Sequence, residues 1–575
     1  MLRILRYLKP YAALVAAALA LEFASSMAEL SLPAMMAVIV DEGVAAGDVP
    51  LIWRTGGLML IVALAGVIAN LTGGFFAART AMGFGKSLRS KVFSRVSSFS
   101  LRELDRFGTS SLITRTTNDI TQVQQVAFMM QRMMAKAPMM AIGGIAMALA
   151  TEPKLAWVLL IVIPIMAAAI LLIARRGLPL FKSIQTKIDS LNRVMRENLS
   201  GIRVVRAFDR VEHEKVRFDE VNADLTATTL KVNRIMAFIF PFVTLMMNLT
   251  TVMIVWFGGR DVESGAIQIG SLMAFIQYAT QIMFAVVMVS VIFIMVPRAQ
   301  ASAERINEVL DVDPEIVDPA SPVRPEAPKG RVEFRNVSFG YDGAAEPAIR
   351  NVSFVAEPGT TTAIIGGTGS GKSTILNLLA RFYDVKDGAI LVDGVDVRDM
   401  AQEDLRSGMG LATQRAVLFS GTIAHNLRFG RDGASDDDLA RAAAIAQADG
   451  FIAGKEGGMS AELAQGGINV SGGQKQRLAI ARALAREPRI YLFDDSFSAL
   501  DFKTDARLRS ALRKETTEAT VIIVAQRVGT IRDADQIIVL DEGRIVGRGS
   551  HAELLASCGI YGEIVASQLS AEEAV

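Results

Sequence analysis

Four stretches of this chain carry no charged side chain over lengths that a soluble domain does not need. They are Thr55–Ala78 (24 residues), Leu155–Ala174 (20), Ile235–Gly259 (25) and Ser264–Pro297 (34). A helix needs about 20 apolar residues to cross a bilayer, so each reads as a membrane span. Two weaker stretches complete a set of six. Ala137–Thr151 is short but extends back through Met133 and Met134, and Pro10–Val40 is long but interrupted by Glu22 and Glu29. Arg3, Arg6 and Lys9 before an alanine-leucine core also fit a secretory signal, but the apolar run resumes past Glu29 and five more spans follow.

Lysine and arginine set the expected orientation. Basic residues crowd the segment from Arg79 to Arg115 and the segment from Arg175 to Arg217, whereas the other connections are short or acidic. Both long segments and both termini are therefore expected on the cytoplasmic side of a cell membrane. Apolar residues recur at helical spacing through them, as in Val204, Val205 and Phe208, so the spans are expected to continue as helical stalks. A 25-residue extension would project about 40 Å.

The rest of the chain differs. Twenty-three of the 26 methionines precede residue 311. Between 311 and 330 stand Pro314, Pro319, Pro322, Pro325 and Pro328, which cannot continue a helix. Beyond them, apolar strand-like runs such as Arg331–Phe339 and Thr361–Ile365 alternate with helical patterns, the mark of an α/β domain with a substantial parallel sheet. The expected organisation is an all-α six-helix transmembrane domain (1–310), a proline-rich linker (311–330) and an α/β P-loop domain (331–575). A net charge of +1 gives no basic excess for nucleic acid. One cysteine, Cys558, excludes an intrachain disulfide, and His213, His425 and His551 are too scattered for a metal motif.

The strongest chemical signal is Gly366-Gly367-Thr368-Gly369-Ser370-Gly371-Lys372-Ser373-Thr374, a P-loop pattern placed after an apolar strand and before a helix. Its glycines let backbone N–H groups face phosphate, and the following helix N-terminus adds a favourable dipole. Lys372 is expected at the β- and γ-phosphates of ATP, and the Ser373 hydroxyl on Mg²⁺. A second apolar strand, Ile490–Phe493, ends in Asp494-Asp495. Asp494 is the metal-side carboxylate expected of such a site; Asp495 occupies the position of the water-polarising base.

With Val470-Ser471-Gly472-Gly473-Gln474 standing 16 residues before that strand, the chain resembles the ATP-binding cassette (ABC) exporters, in which six membrane helices are fused to a nucleotide-binding domain. The resemblance covers nearly the whole chain. It implies that this signature caps ATP held by the opposite domain of a dimer. It also implies that Tyr341 stacks on adenine, that Gln414 contacts Mg²⁺ and senses the membrane domain, and that Ser498 and Asp501 lie in a loop at the dimer interface. Ala464–Gly467 falls where related exporters touch the coupling helices. Glu197–Phe208 looks like the segment leading through the second coupling helix, and Phe107–Ile113 would hold the first.

Two positions depart from the pattern. Active ABC sites usually carry glutamate where Asp495 stands, and histidine where Gln526 stands. Aspartate is shorter by one methylene, on the order of 1.5 Å, and misplacement of that size is costly in catalysis. Glutamine can hydrogen-bond a phosphate but cannot carry an imidazolium charge. The resemblance therefore implies a degenerate nucleotide site in a chain whose signature remains intact. That is the pattern of one subunit of a heterodimeric exporter, favoured over a homodimer with two impaired sites.

The expected activity is ATP hydrolysis coupled to transport by alternating access, with turnover dependent on a second half-subunit. An importer on the same fold, a weakly active homodimer and an ATP-gated regulator or channel are the alternatives. Glu22 and Glu29 lie seven residues apart, on one helix face, and suggest a cation-attracting translocation path or packing without substrate contact. Hydrophobic or amphipathic compounds of drug or lipid type are the expected cargo.

Overall fold

The structure is a computed structural model that describes residues 2–568, with side chains throughout except at 2, 174, 178, 181, 182 and 290–294. The last seven residues assigned to the P-loop domain therefore lie outside the described residues. Two compact units emerge: 1–98 with 107–313, and 99–106 with 314–575.

The first unit is helical. Its described residues include six helices long and apolar enough to cross a membrane, by length and composition. The first span is Ala12–Val38, drawn out by a wider helical turn at Ile39–Val44. The second is the 49-residue helix Val49–Ser97, which starts where the Asp48 carboxylate accepts from the Leu51 N–H at 3.0 Å. At 1.5 Å per residue it extends about 70 Å, far more than a bilayer core of about 30 Å. Helices Ala156–Ser200 and Ile269–Leu310 are similarly long, so the stalks expected from sequence are continuous with their spans. The first two spans pack closely because Gly66 and Gly73 carry no side chain there. A Cβ on Gly66 would stand 2.9 Å from the Ala28 Cβ.

The third span, within Thr109–Thr151, contains two wide π-type turns, Arg115–Asp119 and Met130–Met134. The short helix Ile202–Ala207 follows the fourth-span helix, and Val211–Ala237 returns towards the fifth-span helix Ile239–Glu263. Val204 and Phe208 are exposed on that short turn. Asp41 caps the start of the last span, accepting from the Gly270 and Ser271 N–H groups.

The second unit is α/β. Its six-stranded sheet runs in the order Arg544–Gly549, Gln536–Asp541, Thr361–Gly366, Thr520–Val524, Ile490–Asp494, Met409–Ala412, and every pairing is parallel except the first. Near-continuous apolar strands such as Thr520–Val524, buried at all five positions, are what a sheet covered on both faces requires. The strand expected from Arg331 to Phe339 belongs instead to a separate antiparallel sheet. There Val332–Phe339 lies between Ile349–Ala356 and Asp387–Val392. Periodicity alone could not separate the two sheets, because the buried Val332, Phe334, Val337 and Phe339, out of step only at an irregularity after Phe334, mark an inward face in either arrangement.

Phe99–Arg106 joins this second unit, with the helix Leu101–Phe107 begun by Glu103, which accepts from the Ser100 N–H and hydroxyl. Its residues meet the rest of the unit through ion pairs of Arg102 with Glu315 and Asp342 and a hydrogen bond from the Tyr383 hydroxyl to Asp105. The Phe107–Ile113 region expected to hold the first coupling helix falls at the end of this helix and the start of the next, Thr109–Thr114. The sequence pattern there, short and polar, gave no sign of where the helix breaks.

Candidate functional site

Four neighbouring parallel strands deliver four motifs to one edge of the sheet. Thr361–Gly366 leads into the P-loop, Ile490–Asp494 into Asp495, Thr520–Val524 into Ala525-Gln526, and Met409–Ala412 into Thr413-Gln414. Register places Val524 opposite both Ile364 and Asp494. Ligands of open α/β sheets bind at these carboxyl ends.

Gly371 adopts φ +96° as the residue before helix Lys372–Leu379, and a Cβ there would lie 2.5 Å from the Ala348 carbonyl. Only glycine serves that turn, which aims the helix N-terminus at the loop. The Lys372 ammonium donates to the Gly366 and Gly367 carbonyls at 2.9 and 2.6 Å. Burial lowers its pKa from the ordinary lysine value, opposed by the charges of Asp495 and Asp494.

The Ser373 hydroxyl donates to Asp494 Oδ1 at 2.8 Å, so two hard oxygen donors converge beside the P-loop. Among the described residues no cluster of three or more acidic, histidine or cysteine side chains could hold a metal by itself. Ser373 and Asp494 therefore fit a Mg²⁺ that takes its remaining ligands from phosphate and water, as this ion commonly does. Burial raises the Asp494 carboxyl, with the Ser373 hydrogen bond opposing.

Gln414 is not on that pair. Its amide donates to Asp495 Oδ2 at 3.3 Å, and the Gln526 amide donates to the same oxygen at 3.1 Å. Asp495 is buried, sits at φ +45°, and accepts the Ser498 hydroxyl on its backbone carbonyl at 2.8 Å. A left-handed backbone outside glycine is uncommon and concentrates at functional turns, where aspartate tolerates it better than most residues. Burial raises the Asp495 carboxyl, opposed first by the Gln414 hydrogen bond.

Tyr341 is partly exposed, its hydroxyl 3.1 Å from the Thr374 Oγ1 beside the P-loop helix. Phe339 and Tyr383 meet it edge-on at 5.1 and 5.4 Å, and Arg102 binds the adjacent Asp342. This leaves an aromatic surface beside the phosphate loop.

The signature stands apart from these groups. Ser471 caps helix Gly472–Ala485, with its hydroxyl accepting from the Gln474 N–H at 3.3 Å and the Gln474 side chain accepting from the Ser471 N–H at 3.0 Å. Val470 is buried beneath the turn while Ser471 and Gly472 are exposed. Asp501 caps the helix Phe502–Glu515 through the Thr504 N–H.

Sequence reasoning missed several partners. Buried Gln476 donates to the Thr413 carbonyl at 3.1 Å, joining the signature helix to the strand end before Gln414. In the first unit, Arg132 donates to Glu22 Oε2 at 3.3 Å and to the Asn70 carbonyl at 2.8 Å, and Lys136 donates to Glu29 Oε1 at 2.6 Å. Glu22 and Glu29 are thus each compensated by a basic residue of the third span. Arg132 lies in the wide turn Met130–Met134, which is legible only from structure.

Comparison with known proteins gives the class. The ABC transporter transmembrane region matches residues 15–286, and the ABC transporter domain matches residues 349–498. An uncharacterized ABC transporter ATP-binding protein of Mycobacterium tuberculosis H37Rv is 45% identical over 567 residues, covering 98% of this chain and 97% of that one. An uncharacterized ABC transporter ATP-binding protein of Bacillus subtilis, YfiB, is 39% identical over 100% of this chain and 99% of its own. A fatty acid ABC transporter ATP-binding/permease protein of Mycobacterium tuberculosis is 36% identical over 82% and 75%. The solved structure of a bacterial Atm1-family ABC exporter with ATP bound superposes with TM-score 0.81 at 27% identity, covering 98% of this chain and all of that one.

The chain belongs to the ABC transporter family. It is a multi-pass membrane protein of the exporter fold, with a transmembrane region fused to a cytoplasmic ATP-binding domain.

Proposed function

We propose that this chain is one half of an ATP-driven exporter whose own P-loop site turns over slowly and whose signature completes a fast site on a partner half-subunit. The observation that carries this reading is the contrast between two constellations. At the base position stands a short carboxylate, Asp495, with Gln414 and Gln526 both on its Oδ2. At the signature, the capping turn of Ser471 and Gln474 is intact and open.

A base must reach the attacking water with its hydrogen-bonding oxygen. In this reading Asp495 is one methylene too short, and Gln526 cannot supply positive charge to the leaving phosphate. ATP is held by Tyr341, by the P-loop residues Gly366 to Thr374 and by Gln414. Mg²⁺ at Ser373 and Asp494 would offset phosphate charge. Val470 to Gln474 cap ATP on the partner, with helix N-terminal N–H groups facing its γ-phosphate. Ser498 and Asp501 lie at the interface of the two domains. Closure of the two nucleotide domains drives the membrane helices outward, and hydrolysis at the partner's site resets them.

The cargo is an amphipathic compound of lipid type. The fatty acid transporter among the relatives supports this class. Glu22 and Glu29 would border the path, each neutralised by its partner, Arg132 or Lys136, so that stretch is polar but charge-balanced.

The test is ATP turnover by the purified full chain in lipid nanodiscs, alone and with its co-purified partner. The reading expects ATP binding by the chain alone with little hydrolysis, and rapid hydrolysis by the pair. Rapid turnover by the chain alone, abolished in Lys372→Ala, sinks the asymmetric reading.

A further inference from the structure

The loop that carries Gln526 is gripped from outside the nucleotide site. On the helix Gly559–Gln568, the Gln568 side chain donates from Nε2 to the Gln526 carbonyl at 2.8 Å. Its Oε1 accepts from the Val528 N–H at 2.9 Å. One amide thus spans the two residues that flank Arg527, whose own backbone is extended at φ −104°, ψ 125°.

The helix is a firm support for this clasp. Tyr561 and Val565 are buried in the main core of the unit, and the Tyr561 hydroxyl lies 2.7 Å from His551 Nδ1 on the preceding helix. Gln568 itself is exposed and fills no core volume. On its inner side the same loop is tied twice more. The Gln526 amide reaches Asp495, and Arg527 donates to the Leu500 carbonyl at 3.3 Å while its guanidinium lies over the Phe502 ring. The loop is therefore held between the acid, the turn after Ser498 and the helix Gly559–Gln568.

We infer that Gln568 is a positioning residue of the nucleotide site: its two-point clasp fixes the loop so that the Gln526 amide stays on Asp495, and this sets how fast nucleotide leaves. The inference rests on placing Asp495 and Gln526 at the nucleotide, not on that site being slow. Glutamine suits the role because an amide offers one donor and one acceptor side by side, matching a carbonyl and an N–H two residues apart. Methionine has nearly the same shape and forms neither bond.

The experiment measures association and dissociation of a fluorescent ATP analogue on the full-length chain in nanodiscs, for wild type, Gln568→Met, Gln526→Ala and the double variant. Each single variant is expected to speed dissociation at least about threefold, on the scale of one or two lost hydrogen bonds. The association rate and the thermal midpoint stay unchanged. The double variant is no faster than the faster single one, because without the Gln526 side chain the clasp has nothing to position. Unchanged dissociation in Gln568→Met overturns the inference. So does a double variant whose two effects multiply, or a slowed association, since general loosening of the domain gives those results. Failure of the site assignment itself is read separately: the analogue would then bind undiminished to Lys372→Ala.

Discussion

Asp495 and Asp494 are adjacent carboxylates with different work, and their surroundings separate them. Asp494 accepts from the Ser373 hydroxyl, whereas Asp495 accepts from two amides. If Asp495 is the reason the site is slow, Asp495→Glu should raise hydrolysis at this chain's own P-loop on the order of tenfold, read as single-turnover ATP cleavage. An unchanged rate would place the defect elsewhere. Asp494 also predicts a pH dependence. Burial raises its pKa above the ordinary aspartate value, and a proton there competes with Mg²⁺. Mg²⁺-dependent ATP affinity is therefore full above that raised pKa and falls as pH drops through it. Equilibrium titration of the wild type across the acidic range should show this loss at a higher pH than a free aspartate would give. Asp494→Asn should bind Mg²⁺–ATP weakly at every pH, with the titration gone; a persisting titration would assign it to another group.

Elements carry the next set of claims. The signature helix owes its exposed start to the reciprocal turn of Ser471 and Gln474. Ser471→Ala should lower the stability of the nucleotide-binding domain by about 1 kcal/mol, the usual cost of a lost cap. In the two-chain assembly it should lower hydrolysis while ATP binding at Lys372 stays unchanged. In the membrane, the first and third spans are joined by Glu22 to Arg132 and Glu29 to Lys136. Arg132→Met leaves a buried carboxylate without its cation and should cost about 3–5 kcal/mol, seen as a lower thermal midpoint in detergent. Glu22→Gln combined with Arg132→Met should recover much of that loss. A double variant as unstable as Arg132→Met alone would show that the pair is not what holds the spans.

These elements also show where the sequence was legible. Uncharged runs announce spans because bilayer thickness dictates their length, and the P-loop, Asp494 and Ser471 to Gln474 announce themselves because phosphate chemistry demands local patterns. Arg132, Lys136, Gln476 and Gln568 stayed hidden for a common reason. Each meets a partner 42 to 110 residues away in sequence, and a basic residue or an amide has no pattern until tertiary packing chooses that partner. The separate antiparallel sheet was invisible likewise, since alternation tells inward from outward but not which strand lies alongside.

At the scale of the whole molecule, the account makes the two functions of this chain separable. If its P-loop binds ATP for itself and its signature serves a partner, as proposed, damage to each should have different consequences. The direct measurement is steady-state ATP hydrolysis by the co-purified two-chain transporter in nanodiscs, with Lys372→Ala or Gly472→Glu introduced in this chain alone. Gly472→Glu puts a charged side chain where the exposed signature turn would meet the partner's nucleotide. The account predicts that Gly472→Glu abolishes turnover, while Lys372→Ala leaves a substantial fraction of it. Equal loss from both changes, or a greater loss from Lys372→Ala, would contradict it.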